Sequence, residues 1–481
     1  MQNTRLERMQ EVFKWFYPGL GIKRWLLVTM VGLIILSLGL FSIWCSVVEE
    51  YEILFLASLR KFSPSILGNI TIILLGFSLL LWGLQQTSNA IAGVLLPHRG
   101  KHLVKELYLK RYLEKGPRIV ALGGGTGLSI LLRGLKEYTS NITAIVTVTD
   151  DGGSSGRLRS EMGMLPPGDL RNCLLSLADT EPLLERLFQH RFQGSKSLEG
   201  HNFGNLFIAA LTEMVGFEHA IQEISNVLAI KGKVLPVTLQ HVVLEAEFSD
   251  GSKAVGETNI IKKNRSIKKL SLLPSDCKPL PEVIAEIKKA DAIVLGPGSL
   301  YTSVLPNLLV PGVKEAIKES GAFCFYVCNI MTQAGETSGY SASQHLRALE
   351  RHGCGDMVDC IIVNTNTHLS MELAKKYQME GSVPVKVDME ALSQLGIMVI
   401  KAHLLQQAPL VRHDGRKLAT IIIETMIERE TGLEGLWAYT HLSLNGRFRR
   451  NRKEMGGYSY NPFSKTQKKL ERFLQKAITR I

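Results

Sequence analysis

Charged residues are missing from two long stretches near the start of this chain. Trp25 to Val48 contains no charged residue, and its 24 positions exceed the roughly 20 needed to span a bilayer as a helix. A second uncharged stretch begins at Phe62 and has Ile66 to Leu84 as its apolar centre. The first stretch is too long for the h-region of a cleaved signal. Residues 1–97 are therefore predicted to form a transmembrane hairpin with spans at about 25–48 and 66–84, the alternative being a buried hairpin of a soluble protein.

Cysteine is scarce, with seven residues, an odd number without the spacing of a disulfide framework. Such usage indicates a reducing compartment. Cys324 and Cys328 lie in the apolar run FCFYVCN, which favours buried thiols over metal ligands. The histidines form no metal-ligand motif, so the sequence predicts no zinc-type site.

The usual fingerprints of nucleotide-binding folds are absent. No G-x-G-x-x-G register fits the glycine-rich segment Gly123 to Gly127, because Leu128 and Ile130 stand where the last glycine should be. No G-x-x-x-x-G-K-S/T motif occurs there either. An ordinary dinucleotide fold is therefore weakly supported.

What is present instead is a pair of glycine-rich loops that each follow an apolar run. Ile119 to Leu122 precedes Gly123 to Gly127, after which leucines and isoleucines recur at helical spacing. Ile142 to Val148 precedes the loop Asp150 to Gly156. Ligands of open α/β sheets bind beyond the carboxyl ends of the strands, and the amides that begin a helix favour a phosphate. We expect a cradle for a nucleotide or sugar phosphate, with Asp150 placed to accept hydrogen bonds from a ribose.

Further polar loops follow apolar strands later in the chain. Gly296 to Ser299 follows Ala292 to Leu295, and the segments NIMTQAGET and NTNTH follow two more apolar runs. Val234 to Ile261 alternates as strands, with Asp250-Gly251 as a hairpin turn. The loop LEGHNFGN, containing Asn205, is equally consistent with a ligand contact and with a helix cap. The pattern predicts an α/β fold, a Rossmann-like, doubly wound and mostly parallel sheet with a small β insertion.

Basic residues are unevenly distributed along the chain. The tail 445–481 has eleven Lys/Arg against Glu454 and Glu471, and so carries most of the net charge of +12. Membrane lipid is favoured over nucleic acid as the partner of this tail, and a plain solvated tail is as well supported as both together. Residues 98–117 form a basic juxtamembrane linker, and 118–444 form the main domain.

The same charges predict the orientation of the hairpin. By the positive-inside rule, both termini and the main domain lie in the cytoplasm. Basic residues flank the two spans on their outer sides, whereas the loop between the spans carries charges of both signs. The residues before the first span are Arg5, Arg8, Lys14, Lys23 and Arg24, and those after the second are Arg99, Lys101, Lys105, Lys110 and Arg111. The loop contains Glu49, Glu50, Glu52, Arg60 and Lys61.

Several long motifs carry a resemblance to a known family. They read ALGGGTGLSILLRGLK, TVTDDGGSSGRLR, PPGDLRN, EPLLERLFQHRF, KVLPVT, GPGSLYTSVLPNLLVPGV and NIMTQAGET. Between about Pro117 and Glu428 the chain resembles the bacterial gluconeogenesis factor family, related in fold to 2-phospho-L-lactate transferase of deazaflavin cofactor synthesis. The resemblance implies a cytoplasmic body that binds a UDP-sugar such as UDP-N-acetylglucosamine and influences carbon partitioning, gluconeogenic growth and cell shape. No reaction is established for that family.

The resemblance also implies a set of ligand-binding residues. Tyr377 would stack on uracil or pack on ribose, and Arg412 would hold a pyrophosphate; a tyrosine closing a helix and an arginine in an ion pair are the alternatives. The full set is Gly123, Gly124, Gly125, Thr126, Gly127, Asp150, Asp151, Gly152, Gly153, Ser154, Ser155, Asn205, Gly298, Ser299, Asn329, Thr332, Tyr377 and Arg412.

Three functions remain open at this point. The first is a membrane-anchored regulator that binds a UDP-sugar. The second is a transferase enzyme in which Asp150 or Asp151 would hold a divalent metal such as Mg²⁺ that bridges phosphates. The third is a scaffold that binds no ligand. The glycines that are retained in every glycine-rich loop count against this third function. No other cofactor and no nucleic-acid partner are predicted, and protein partners and a homo-oligomer are left open.

Overall fold

A computed structural model describes residues 22–47, 66–95, 113–179, 182–194, 198–407 and 410–429. The chain divides into two units, Met1–Arg111 and Tyr112–Ile481. The basic tail 445–481, most of the linker 98–117 and most of the charges used to orient the hairpin lie outside the described residues.

The first unit contains two apolar helices, α1 (Ile22–Val47) and α2 (Ile66–Leu95), which pack antiparallel. Glycines bring the backbones together: a Cβ at Gly32 would lie 2.5 Å from the backbone nitrogen of Leu80, and one at Gly76 would lie 2.5 Å from that of Leu36. The Ser42 hydroxyl also donates to Asn69 Oδ1 across 3.0 Å. The prediction of two helices long and apolar enough to cross a membrane is confirmed over Arg24–Trp44 and Gly68–Ala90. That they do cross one remains a prediction.

The second unit is built on a seven-stranded parallel sheet, which confirms the predicted α/β fold. Its strands are β1 (Ile119–Gly123), β2 (Ile142–Val146), β3 (Lys233–Pro236), β7 (Ala292–Leu295), β8 (Phe323–Val327), β9 (Cys360–Asn364) and β10 (Met398–Ala402). They lie in the order β10-β9-β8-β7-β1-β2-β3. β1, β2, β7 and β9 are buried throughout, as expected for a parallel sheet covered on both faces.

Helices connect the strands and cover the sheet. They are α3 (Gly125–Leu135), α4 (Gly153–Met162), α5 (Gly168–Leu177), α6 (Pro182–Gln189), α7 (Phe203–Val215), α8 (Phe217–Val227), α9 (Glu257–Lys263), α10 (Pro281–Lys288), α11 (Leu305–Leu309), α12 (Val313–Ser320), α13 (Ala342–Arg351), α14 (Met371–Met379), α15 (Met389–Gln394) and α16 (Gly415–Arg429). A single π-helical turn, Leu300–Val304, precedes α11. Such turns often occur at functional sites.

The strand order reverses between β1 and β7. From β1 the chain proceeds to β2 and β3 on one side, and it later returns to place β7 on the other. Ligands of open α/β sheets bind in the crevice beyond the strand ends at such a switch point. The fold therefore places the ends of β1 and β7 where a ligand is expected.

The β insertion differs in extent from its prediction. It is a three-stranded antiparallel sheet in the order β5-β4-β6, with β4 (Val243–Phe248), β5 (Lys253–Val255) and β6 (Ile267–Leu273), and Asp250-Gly251 does form the hairpin turn. Val234 instead belongs to β3 of the main sheet, and Ile261 lies in α9. The alternating pattern stops early because Gly256, with φ +92°, ends β5 and leads into that helix.

A second small hairpin was not foreseen. β11 (Leu405–Gln407) pairs antiparallel with β12 (Val411–His413), just before α16. Its three-residue strands are too short to show a periodic pattern. This hairpin matters because it carries Arg412.

Candidate functional site

The glycine turn after β1 forms one side of the crevice. Gly125, the first residue of α3, has φ +60°, a conformation that glycine adopts without steric strain. A Cβ at Gly127 would lie 2.6 Å from the carbonyl oxygen of Pro297, so this glycine lets the turn pack against the loop after β7. The turn thus places the start of α3 at the switch point.

A cavity of about 600 Å³ opens beside this turn. It is lined by the turns after β1, β7 and β8, by α14 with the residues after it, and by the β11–β12 hairpin. The predicted ligand-binding residues that line it are Gly124, Gly125, Thr126, Gly127, Gly298, Ser299, Asn329, Thr332, Tyr377 and Arg412. Gly123, also predicted, is the buried last residue of β1 and does not line the cavity.

Tyr377 and Arg412 reach the cavity from different elements. The backbone N–H of Val411 donates to the hydroxyl oxygen of Tyr377 across 2.9 Å, which joins α14 to the β11–β12 hairpin. Arg412 is exposed, and none of the described hydrogen bonds or ion pairs involves its guanidinium. The ion pair considered as an alternative for Arg412 is therefore absent among the described residues.

Gln333 also lines the cavity, and sequence reasoning missed it. Its side-chain Nε2 donates to Ser299 Oγ across 2.7 Å, and its Oε1 accepts from Asn329 Nδ2 across 3.1 Å. The only available signal was its position beside Thr332 in NIMTQAGET. Thr332 is buried, and its backbone and hydroxyl exchange two hydrogen bonds with Val383, so its role in the structure is to anchor the cavity wall.

The remaining predicted residues form a second group that does not line this cavity. Ser154 and Asn205 are buried together: Asn205 Nδ2 donates to Ser154 Oγ across 3.2 Å, and Arg171 donates to Asn205 Oδ1 across 2.6 Å. His201 Nδ1 lies 3.2 Å from the same Ser154 hydroxyl. These polar groups are therefore hydrogen-bonded to one another. Gly152, Gly153 and Ser155 belong to the same loop and the start of α4.

Asp150 lies within a group of carboxyl groups that sequence reasoning did not bring together. Burial raises the pKa of Asp150, even though the backbone N–H of Gly152 donates to its carboxylate across 2.9 Å. Burial, with the charge of Asp150 nearby, raises the pKa of Asp169 to about 7. Burial also raises the pKa of Glu257 to about 9 and that of Glu336 to about 7. This group lies next to the glycine turn, because a Cβ at Gly124 would lie 2.5 Å from Asp169 Oδ2.

Two acidic residues of this region lie beside helix starts. Asp169 lies in the first turn of α5, which Pro167 precedes. Asp151 accepts from the backbone N–H and the hydroxyl of Thr258 at 2.9 and 2.5 Å, so it ties the loop to the start of α9. Among the described residues, no three His, Cys, Asp or Glu side chains are grouped to hold a metal ion.

Comparison with known proteins identifies the family. A family model described as 2-phospho-L-lactate transferase CofD matches residues 119–405. A gluconeogenesis-factor relative from Nostoc sp. is 46% identical over 427 residues, which cover 87% of this chain and 93% of the relative. The chain belongs to the gluconeogenesis factor family. The resemblance seen in the sequence motifs is thereby confirmed, together with the relation of this family to the CofD transferases.

Other similar proteins cover about two thirds of this chain. The gluconeogenesis factor of Bacillus subtilis is 49% identical over 315 residues, which cover 65% of this chain and 99% of that protein. A crystal structure of a UPF0052-family protein from Bacillus halodurans has a TM-score of 0.62 and 50% identity, and covers 64% of this chain and 99% of its own. The Nostoc match covers more of this chain than the second unit alone can supply, so it extends into the first.

Proposed function

We propose that this chain is a membrane-anchored regulator that binds a UDP-sugar of the UDP-N-acetylglucosamine type. The observation that carries the proposal is the cavity of about 600 Å³ at the switch point of the sheet, where the glycine turn, Tyr377 and Arg412 meet. The name borne by its relatives supports a role in gluconeogenic growth. Control of carbon partitioning and of cell shape completes the proposed role.

The polar groups of this cavity suit a nucleoside diphosphate. The first amides of α3 carry the positive end of the helix dipole and favour a phosphate. The planar guanidinium of Arg412 can hold two phosphate oxygens at once, and no ion pair among the described residues competes for it. The ring of Tyr377 offers a face for a base or a ribose.

The anchor is the helical hairpin of the first unit. Because α1 and α2 pack antiparallel, their outer ends lie on the same side, which agrees with the predicted placement of both termini in the cytoplasm. Large apolar side chains such as Leu27, Met30 and Leu74 are exposed on the hairpin surface, as lipid contact requires. The basic tail would add attraction to an anionic leaflet.

A transferase is the second candidate, and the carboxyl groups beside the glycine turn favour it. Mg²⁺ is commonly held by one or two carboxylates together with substrate phosphates. Asp150 and Asp169 are the residues that would supply them here, with no cage made of protein groups alone among the described residues. In this case Asp150→Asn would remove the metal dependence of nucleotide binding and leave the fold intact.

Calorimetric titration of the full chain in detergent separates these functions. The ligands are UDP-N-acetylglucosamine, UDP-glucose, GDP and NADP, and the fragment from Gly116 onward is titrated in parallel. We expect saturable binding of a UDP-sugar, with the same affinity in the fragment. Binding of GDP alone, with transfer of phospholactate, would support the transferase function and contradict the regulator function. Absence of any binding would favour a scaffold.

A further inference from the structure

Gln333 joins two walls of the cavity through one side-chain amide. Its Nε2 donates to Ser299 Oγ across 2.7 Å, in the turn after β7, and its Oε1 accepts from Asn329 Nδ2 across 3.1 Å, in the turn after β8. The backbone of Gln333 is fixed as well, since its N–H donates to Thr337 Oγ1 across 3.0 Å and its carbonyl accepts from Thr337 N across 2.9 Å. The amide is therefore held at both ends.

These hydrogen bonds determine what each neighbour offers to the cavity. Ser299 uses an oxygen lone pair on Gln333, and its hydroxyl hydrogen has no acceptor among the described residues, so it is available to donate. Asn329 uses its NH₂ group on Gln333, and its Oδ1 has no donor among the described residues, so it is available to accept. This wall thus presents one donor and one acceptor.

We propose that Gln333 is a specificity-determining positioning residue, which makes this wall select a group that both accepts and donates a hydrogen bond. A sugar hydroxyl does both. A phosphate oxygen, which at neutral pH only accepts, would meet the carbonyl oxygen of Asn329 without a hydrogen to share. The inference rests on the proposed function: it assigns the sugar of the ligand to Ser299 and Asn329, and leaves the diphosphate to the glycine turn and Arg412.

The test compares UDP-N-acetylglucosamine with UDP on the full chain in detergent, by calorimetry. The measured quantity is the ratio of the two affinities, since UDP lacks the sugar. Gln333→Leu removes both hydrogen bonds, so we expect this ratio to fall about twofold to tenfold, the value of one neutral hydrogen bond, with the affinity for UDP unchanged. Gln333→Glu should lower the ratio too, because a carboxylate takes the hydroxyl hydrogen of Ser299.

A double-mutant cycle separates positioning from general loss of structure. Ser299→Ala should also lower the ratio, and adding Gln333→Leu to it should lower the ratio less than Gln333→Leu does in the wild-type chain, because Gln333 acts partly through Ser299. Gln344→Glu is the matched control: Gln344 accepts from the backbone of Ser341 at the start of α13 and does not line the cavity. We expect the control to keep the wild-type ratio, with the folding of every variant checked by its melting temperature.

The outcomes distinguish this inference from the proposed function. If the wild-type chain binds UDP-N-acetylglucosamine and both Gln333 variants retain its ratio, the inference is wrong and the proposed function stands. An equal loss of affinity for UDP and for the UDP-sugar would also overturn it, because the wall would then contact the nucleotide. If the wild-type chain binds neither ligand, the proposed function fails and the inference fails with it.

Discussion

The hydroxyl oxygen of Tyr377 accepts a hydrogen bond from the backbone N–H of Val411 across 2.9 Å. This bond joins a helix to the hairpin strand that carries Arg412. α14 has no buried residue, so little apolar packing holds it in place. The position of the Tyr377 ring over the cavity therefore depends on this contact with the hairpin.

Tyr377→Phe tests that dependence. The variant keeps the ring and loses the acceptor for Val411, so we expect the affinity for a UDP-sugar to fall about twofold to tenfold, the range for one neutral hydrogen bond. Tyr377→Ala should lower it further, because the ring face is lost as well. Calorimetry measures both. Wild-type affinity in Tyr377→Ala would exclude this ring from the ligand site.

Arg412 is predicted to hold the diphosphate through two charged hydrogen bonds. Arg412→Ala should weaken UDP-sugar binding about tenfold to a hundredfold, since charged hydrogen bonds contribute roughly 1.5 to 3 kcal/mol. Arg412→Lys keeps the charge but loses the planar fork, so its affinity should lie in between. Arg347→Ala, an exposed arginine on α13 away from the cavity, is the control and should bind normally. If Arg412→Ala and the wild type bind with equal affinity and have the same circular dichroism spectrum, Arg412 does not contact the ligand.

Gly125→Val should reduce both stability and binding. A valine at φ +60° is strained by about 1–3 kcal/mol, and its side chain would intrude where a phosphate approaches α3. Gly163→Val introduces the same strain at φ +60° outside this cavity, so it should lose stability and keep its affinity. Melting temperature and calorimetry separate the two effects. Loss of binding in both variants would mean that strain alone accounts for it.

Glu257 should make the chain less stable as pH rises. Burial, with the charges of Asp150 and Asp169, raises the pKa of its carboxyl from 4.5 to about 9, so the folded chain keeps a proton that the unfolded chain releases. The free energy of unfolding then falls between about pH 4.5 and pH 9. Glu257→Gln should flatten this decline in melting temperature, whereas Glu223→Gln, on the exposed face of α8, should not. A decline as steep in Glu257→Gln as in wild type would contradict the assigned cause.

Deletion of Met1 to Leu96 should release the chain from the membrane. The deletion removes the hairpin and leaves the unit that contains residues 119–405, which match the CofD family model. We expect the fragment in the soluble fraction, with wild-type affinity for the ligand, after a high-salt wash that removes attachment through the basic tail. If the full-length chain also appears in the soluble fraction, the hairpin does not anchor it in the membrane.

The sheet was predictable from local pattern because each strand and its following loop are adjacent in the chain. The run at Ala292 to Leu295 matches β7 to the residue. β10 and β11–β12 were missed because their strands have no clear periodicity. The true limits of the insertion depend on Gly256 and on the contact of Asp151 with Thr258, which no local pattern reveals.

The candidate site was predictable only in part. Glycine turns leave a local signal, whereas Asp169, Glu257 and Glu336 approach Asp150 only through the tertiary fold. Family resemblance, not pattern, singled out Tyr377 and Arg412. The predicted ligand-binding residues form two groups, one that lines the cavity and one that is buried around Ser154 and Asn205. They are separate because the turn after β2 packs towards α7 and not towards β7.

A crystal structure of the fragment from Gly116 onward with UDP-N-acetylglucosamine tests the central claim most directly. A relative that covers 64% of this chain has already yielded crystals. The account predicts the diphosphate between the first amides of α3 and Arg412, the uridine against Tyr377 and the sugar at Ser299 and Asn329. Nucleotide bound at another surface, or no bound nucleotide at saturating concentration, would contradict it.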